Sequence, residues 1–169
     1  TILHHPEEIK LAISRPPESI MQSAYVCHEN QKSGIIRSLF SKKKPHKVIV
    51  FAGSKIKVRE VAKTFKQMGI TVDEMHSDLS QEQREEVMHE FRNNRIDLLV
   101  ATDILSRGID IDDITLVINY DVPHDAEDYV HRIGRTARAG EQGMAITLIS
   151  TEEQYRFKTS NDLEEFILS

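Results

Sequence analysis

The sequence VIVFAGSKIKVREVAKTFKQM, residues 48–68, contains the pattern that decides the fold. Its first four residues, 48–51, are all apolar, which is typical of a strand buried on both faces of a parallel sheet. After a short turn, apolar residues recur at the spacing of one helical face: Val58, Val61, Ala62, Phe65 and Met68. The stretch therefore predicts a buried strand followed by an amphipathic helix.

The same alternation of strand and helix continues along the chain. Further apolar, β-branched runs predict strands at 98–100, 116–118 and 145–149, and near 24–26 and 70–72. Helix starts are indicated by a capping-box pattern at 80–83 and by a similar pattern at 151–154. This order predicts an α/β fold with three layers, in which a mainly parallel β-sheet has helices on both faces.

Length and composition limit the class of protein. The 169 residues fit one domain, and 39% hydrophobic with 29% charged residues indicates a globular chain. The single cysteine, Cys27, excludes an internal disulfide, and we expect it to be a buried, inert thiol. No run of about 18 apolar residues occurs, so we expect no membrane span. Because the chain starts at Thr1 without methionine, we expect a fragment or a processed piece.

The charge is distributed unevenly. The formal net charge is −5, yet the window 32–66 has eleven lysines and arginines against one acid, Glu60, a net charge of +10. Such a window fits an anionic partner on one face. The alternative is an ordinary solvated surface, above all for the lysine run 42–44.

Ligands of open α/β sheets bind beyond the carboxyl ends of the strands. Three segments are predicted there: 52–54, 102–110 and 129–140. The last has three arginines at a spacing of three, Arg132, Arg135 and Arg138, which would lie in one sector of a helix. Their planar guanidinium groups match phosphate oxygens. Alternatively, they pair with acids of this chain such as Asp103, Asp110 and Asp128.

Several common sites are missing from the sequence. It has neither a G-x-x-x-x-G-K-[ST] phosphate loop nor a G-x-G-x-x-G motif. None of its eight histidines has the spacing of an H-x-x-x-H metal pair, so we predict no metal site. The chain thus combines anion-binding arginines with no phosphate loop of its own, which predicts half of an active site.

Four ordered segments resemble motifs of the DEAD-box RNA helicases. Residues 48–55 resemble motif IV, 80–84 the Q-x-x-R element, 100–110 motif V and 129–140 motif VI. Their order and separation are those of the second, C-terminal RecA-like domain of the family, and the likeness covers nearly the whole chain. It implies that residues 1–20 are the linker entry and N-terminal segment, and that residues 21–169 are the helicase C-terminal domain.

The resemblance implies how ATP would be used. In this family ATP with Mg²⁺ is bound mainly by the N-terminal RecA-like domain, which carries the phosphate loop. Arg135 and Arg138 would be arginine fingers for hydrolysis, and Gly108 and Asp110 would also contact the nucleotide. Phe51, His131 and Arg132 would have interdomain or structural roles. The isolated chain is therefore predicted to be inactive.

The resemblance also implies a surface for RNA. Contacts to its sugars and phosphates would come from Gly53, Ser54, Gln81, Arg84 and Thr102, and would be independent of base sequence. For Gln81 the alternative is that it caps its own helix.

The implied function is to couple ATP-driven closure of two domains to local RNA unwinding in the cytoplasm. Two other functions stay open: a DNA helicase or translocase domain of the same superfamily, and a non-catalytic RecA-like module that binds RNA or protein.

Overall fold

A seven-stranded β-sheet forms the centre of the computed structural model, which describes residues 7–13, 20–103, 111, 113–123, 132 and 143–154. Its spatial order is β1-β2-β7-β6-β3-β5-β4, and every neighbouring pair is parallel except β1 and β2. The predicted mainly parallel sheet is confirmed. The strands are β1 (Glu7–Ile13), β2 (Ile20–Cys27), β3 (Val48–Phe51), β4 (Val72–Met75), β5 (Leu98–Ala101), β6 (Leu116–Asn119) and β7 (Gly143–Ser150).

Helices cover both faces of this sheet. A short 3₁₀ helix (Glu29–Gln31) leads into α1 (Lys32–Leu39), and α2 (Lys55–Gln67), α3 (Gln81–Arg92) and α4 (Thr151–Gln154) follow. The buried side chains of α1 and α2 pack with Val48 and Val50 on one face. Those of α3 pack with Ile49 and Phe51 on the other. Apolar residues at consecutive positions of β3 thus serve two cores, which confirms the predicted three layers. No helix in the described ranges is long and apolar enough to cross a membrane.

The ends of α2 are set by local sequence. Ser54 is the N-cap, and its hydroxyl accepts a hydrogen bond from the Lys57 amide at 3.2 Å. At the other end Gly69 adopts a φ of +80°, a conformation that glycine reaches without strain. The Ile70 amide then bonds to the Phe65 carbonyl at 3.1 Å and closes the helix. The strand predicted near 70–72 therefore begins only at Val72.

Helix α3 has the predicted capping box at its N-terminus and an unpredicted lysine contact at its C-terminus. The capping box is present: the Ser80 hydroxyl accepts from the Gln83 amide, and the Gln83 side chain accepts from the Ser80 amide. At its C-terminus the buried Lys47 ammonium donates to the carbonyls of Phe91 and Arg92. A charge from outside the helix therefore satisfies carbonyls that have no partner within it.

The 3₁₀ helix, helix α1 and strand β1 were not predicted from sequence. Helix α1 is short and contains Gly34, a weak helix former, and it is held by burial of Ile35 and Ile36. Strand β1 pairs antiparallel with β2 along its whole length, so part of the predicted N-terminal segment belongs to the sheet. The boundary placed after residue 20 stays a prediction.

Candidate functional site

The turns that follow four parallel strands lie side by side at one edge of the sheet. After β3, the Ala52 amide bonds to the Ala101 carbonyl at 2.9 Å, and the Tyr120 amide bonds to the Phe51 carbonyl at 2.8 Å. After β5, the Thr102 amide bonds to the Met75 carbonyl at 3.1 Å. The carboxyl ends of β3, β4, β5 and β6 therefore meet where the sequence predicts ligands.

Arg132 lies in a buried polar network at this edge. Its side chain is about 1% exposed, and its Nε donates to Asp103 Oδ1 at 2.6 Å. Its Nη1 donates to Asn119 Oδ1 at 3.1 Å and to the Asp121 carbonyl at 3.0 Å. Of the two alternatives for the arginines, Arg132 follows the one in which an acid of the chain pairs with it. Its interdomain role stays a prediction.

Phe51 lies directly beneath this arginine. The ring is fully buried, and the Arg132 guanidinium carbon is 5.1 Å from its centroid, which allows a cation–π contact. Phe51 thus links the end of β3 to Arg132. Whether this link affects the contact between two domains stays a prediction.

Two polar groups of the turn at 52–54 form hydrogen bonds within the protein. The Gly53 amide donates to Asp121 Oδ2 at 2.6 Å, while the Ser54 hydroxyl accepts from the first turn of α2. A Cβ at Gly53 would lie 3.2 Å from Asp121 Oδ2, so glycine is favoured here because the carboxylate approaches closely. The predicted RNA contacts of Gly53 and Ser54 stay predictions.

Within the part of the chain that the structure describes, two buried side-chain polar atoms have no hydrogen-bond partner. They are the Nε of Arg84, in the first turn of α3, and the Oγ1 of Thr102, directly after β5. Buried polar atoms without a partner are rare, and each calls for an explanation such as an absent ligand. Both residues are among those for which the sequence predicts RNA binding.

Gln81 is exposed on the same helix. Its Nε2 donates to Glu85 Oε1 at 3.3 Å, whereas the cap is supplied by Ser80 and Gln83. The alternative that Gln81 caps its own helix is therefore wrong, and its RNA contact stays a prediction.

The other predicted site residues lie outside the described residues. They are the nucleotide contacts Gly108 and Asp110, the interdomain residue His131, and the two proposed fingers Arg135 and Arg138.

Sequence reasoning missed a buried ion cluster next to the 52–54 turn. The Lys32 ammonium is fully buried and lies 3.1–3.2 Å from carboxylate oxygens of Glu29, Asp121 and Glu153. A signal for Asp121 was available, because it follows strand β6 just as Thr102 follows β5. Lys32 itself gave no signal, since nothing in its local sequence distinguishes it from a surface lysine.

The burial and pairing of its lysines and arginines correct how the basic window 32–66 was interpreted. Lys32 and Lys47 are buried and satisfy groups inside the protein, so they contribute nothing to an anion-binding face. Lys55 and Arg59 are exposed and pair with Asp78. The lysine run 42–44 is exposed, as the solvated-surface alternative requires.

The three carboxylates around Lys32 are close enough to hold a metal ion, since their ligand atoms lie within 4.8 Å of one another. The ammonium occupies that position instead. Lys32 and Lys57 therefore supply positive charge to this cluster of Glu29, Asp121 and Glu153.

Burial and charge act together on the titratable groups here. Burial by itself lowers the pKa of Lys32. The Asp121, Glu153 and Glu29 carboxylates raise it by more than burial lowers it, so the pKa lies above its ordinary value. Burial raises the pKa of Tyr120, whose ring lies 5.3 Å from the Lys32 ammonium, to about 12. Lys32 is therefore charged and Tyr120 neutral throughout the physiological range.

Comparison with known proteins agrees with this architecture. Residues 31–140 match the family described as the helicase conserved C-terminal domain. The ATP-dependent RNA helicase CshA of Listeria monocytogenes is 40% identical over 152 residues, which cover 89% of this chain and 29% of CshA. The chain thus spans about a third of the length of the curated relatives it matches.

Solved structures give the same result. The E. coli DEAD-box protein SrmB, in its crystal structure with the regulator of ribonuclease activity A, is 34% identical with a TM-score of 0.72. That match covers 78% of each chain. S. cerevisiae Dbp5, bound to RNA and ADP BeF3, is 29% identical with a TM-score of 0.75, over 86% of this chain and 39% of Dbp5.

The RecA-like α/β sheet thus brings Arg132 and Phe51 into contact at its carboxyl edge. The chain belongs to the helicase conserved C-terminal domain family, as the C-terminal domain of a DEAD-box RNA helicase.

Proposed function

We propose that this chain is the half of an ATP-dependent RNA helicase that supplies arginine fingers and part of a sequence-independent RNA surface. Closure of this domain on an N-terminal RecA-like domain would couple ATP hydrolysis to local unwinding. The observation that carries the RNA part is the pair of unpartnered groups, Arg84 Nε and Thr102 Oγ1. The relatives support it, since CshA is an ATP-dependent RNA helicase and Dbp5 has been solved with RNA. A cytoplasmic location belongs to the same proposal.

The chemistry of the two groups suits a nucleic-acid backbone. A guanidinium and a hydroxyl can both donate to phosphate oxygens, and such contacts would satisfy two atoms that the fold leaves without partners. Gln81 lies one helical turn before Arg84 on α3, so it can extend the contact along the strand. Gly53 and Ser54, in the turn after β3, would hold the neighbouring part of the backbone. Contacts of this kind do not read bases.

The RNA proposal is tested by Arg84→Ala in the complete helicase. We expect RNA affinity to fall by about 10- to 100-fold, because a charged hydrogen bond is lost. The loss should be equal for RNAs of different sequence, and the salt dependence should decrease by about one phosphate contact. Arg92→Ala is the matched control, since Arg92 is an exposed arginine at the other end of α3. A loss that depends on base sequence would contradict a backbone contact.

On the ATP side, Arg135 and Arg138 would reach the γ-phosphate across the closed cleft, and Gly108 and Asp110 would hold the nucleotide. ATP with Mg²⁺ would be bound mainly by the N-terminal domain. Arg132, of the same sequence motif, is buried and bonded to Asp103 and Asn119. His131 would lie at the contact between the two domains.

The finger proposal is tested by Arg138→Ala in the complete helicase. RNA-stimulated ATP hydrolysis should fall by about 10³- to 10⁵-fold, because charge in the transition state is no longer stabilised. Unchanged turnover would contradict the finger role. The 169-residue chain alone should hydrolyse no ATP, because its sequence has no phosphate loop. RNA-stimulated turnover by the purified chain would contradict the division of labour between the domains.

A further inference from the structure

The segment 119–122, at the end of β6, is hydrogen-bonded to several distant parts of the chain. Asn119 bonds to Arg132 and to Thr147 Oγ1, the latter at 3.1 Å, while the Val122 amide donates to Glu153 Oε2 at 3.0 Å. Between them, Asp121 accepts three hydrogen bonds from three different parts of the chain. It is therefore placed to transmit a displacement of one motif to another.

The carboxylate of Asp121 is divided between two donors. One oxygen, Oδ2, accepts the Gly53 amide at 2.6 Å, and the other, Oδ1, accepts the Lys32 ammonium at 3.2 Å. The backbone carbonyl of the same residue accepts Arg132 Nη1 at 3.0 Å. A rotation of the side chain that kept one carboxylate contact would break the other. The rotamer of Asp121, and with it the position of Gly53, thus depends mainly on Lys32, because the Lys57 ammonium lies farther from the same oxygen, at 4.0 Å.

Three carboxylates fix the position of the Lys32 ammonium. Its ammonium is fully buried among three carboxylates, and Glu153 is itself fixed by the amides of Ser150 and Val122. Buried ion pairs of this kind contribute little net stability, but removal of one charged group leaves its partners buried without a compensating charge. A buried ion cluster is therefore suited to hold a particular geometry.

We infer that Lys32 and Asp121 are positioning residues, which hold the Gly53–Ser54 turn in the orientation that receives the RNA backbone. This inference rests on the proposed function, since it assigns a purpose to the turn that the RNA proposal includes. In this inference neither Lys32 nor Asp121 contacts the nucleotide or the RNA directly. Their loss should weaken RNA binding and leave catalysis at saturating RNA largely intact, because Arg132 keeps its bonds to Asp103 and Asn119.

Two variants of the complete helicase test the inference. Lys32→Met removes the ammonium at similar side-chain length. Asp121→Asn keeps the shape of the side chain, but its one oxygen can accept from only one of the two donors. Lys32 then retains Glu29 and Glu153, so this variant should fold even if Lys32→Met does not. In either variant the RNA concentration for half-maximal ATPase should rise about tenfold, as for one lost hydrogen bond.

The control is Glu29→Gln, which removes one charge from the same cluster; Glu29 pairs with Lys32 and Lys57 and has no hydrogen bond to Gly53. Its half-maximal RNA concentration should stay within about twofold of the parent enzyme. For all three variants kcat at saturating RNA should also stay within about twofold. An equal rise in Glu29→Gln, or an unchanged value in folded Asp121→Asn, would overturn the inference.

Amide hydrogen exchange separates this inference from the proposed function. In the absence of RNA, Asp121→Asn should speed exchange of the Gly53 amide, which donates to the Asp121 carboxylate, and Glu29→Gln should not. If Arg84→Ala leaves RNA binding unchanged, the proposed function fails, yet the exchange still shows whether Asp121 holds the turn. If the exchange is unchanged in Asp121→Asn, the positioning role is refuted, whatever the enzyme does with RNA.

Discussion

Replacing Arg132 with alanine should destabilise the folded chain more than any replacement of an exposed arginine. The variant loses a 2.6 Å ion pair with Asp103 and two further bonds, to Asn119 and to the Asp121 carbonyl. It also leaves the Asn119 amide oxygen buried without its donor, since Asn119 is fully buried. The packing of the guanidinium on Phe51 disappears as well.

The size of the effect follows from these contacts. Breaking a buried ion pair costs about 3–5 kcal/mol. Because the Asp103 side chain is 35% exposed and can regain water, the lower end applies, about 3 kcal/mol. For a chain of 169 residues this corresponds to a fall in Tm of about 6–12 °C.

Urea unfolding and thermal unfolding of the 169-residue chain measure this loss. Arg92→Ala is the control and should change stability by less than about 0.5 kcal/mol. Asp103→Asn, which keeps an acceptor but no charge, should cost less than Arg132→Ala, and a double-mutant cycle should give coupling between the two positions. A loss below about 1 kcal/mol in Arg132→Ala would refute the buried network as described. If the stability losses of the two single variants simply add in the double variant, only the pairing of Arg132 with Asp103 is refuted.

Three smaller effects should be measurable on the same chain. Ser80→Ala removes the hydroxyl of the capping box and should lower the free energy of unfolding by about 1 kcal/mol in urea; an unchanged value would mean that the cap contributes nothing. Burial raises the pKa of Cys27 to about 11, so iodoacetamide at pH 8 should alkylate it only in denaturant, whereas rapid labelling of the native chain would contradict its burial. The hydrogen bond from Lys55, with Arg59, lowers the pKa of Asp78 below its ordinary 3.8, so its stabilising effect is present above that pH and is lost as pH falls through the lower folded value. Asp78→Asn should therefore be less stable than the parent at neutral pH, and the two stabilities should converge at acid pH; a gap that persists there would contradict the linkage.

Local sequence was sufficient for the elements whose stability is local or whose pattern is unambiguous. The apolar residues 48–51 are recognisable as a doubly buried strand because successive residues face the two cores alternately. The Ser80–Gln83 capping box is readable because both partners lie within one turn. The strand ends after which ligands should bind were also predicted from the sequence, and Thr102, whose hydroxyl has no partner, directly follows one of them, β5.

The tertiary structure alone decided which charges leave the surface. Lys32 and Lys47 look like their exposed neighbours in sequence, but distant carboxylates and helix-end carbonyls determine where they lie. Partners such as Asp121 are 89 residues away from Lys32 along the chain, so no local pattern can contain the pair. The sum of charges in a window therefore does not describe a surface, because burial depends on contacts that only the folded chain brings together.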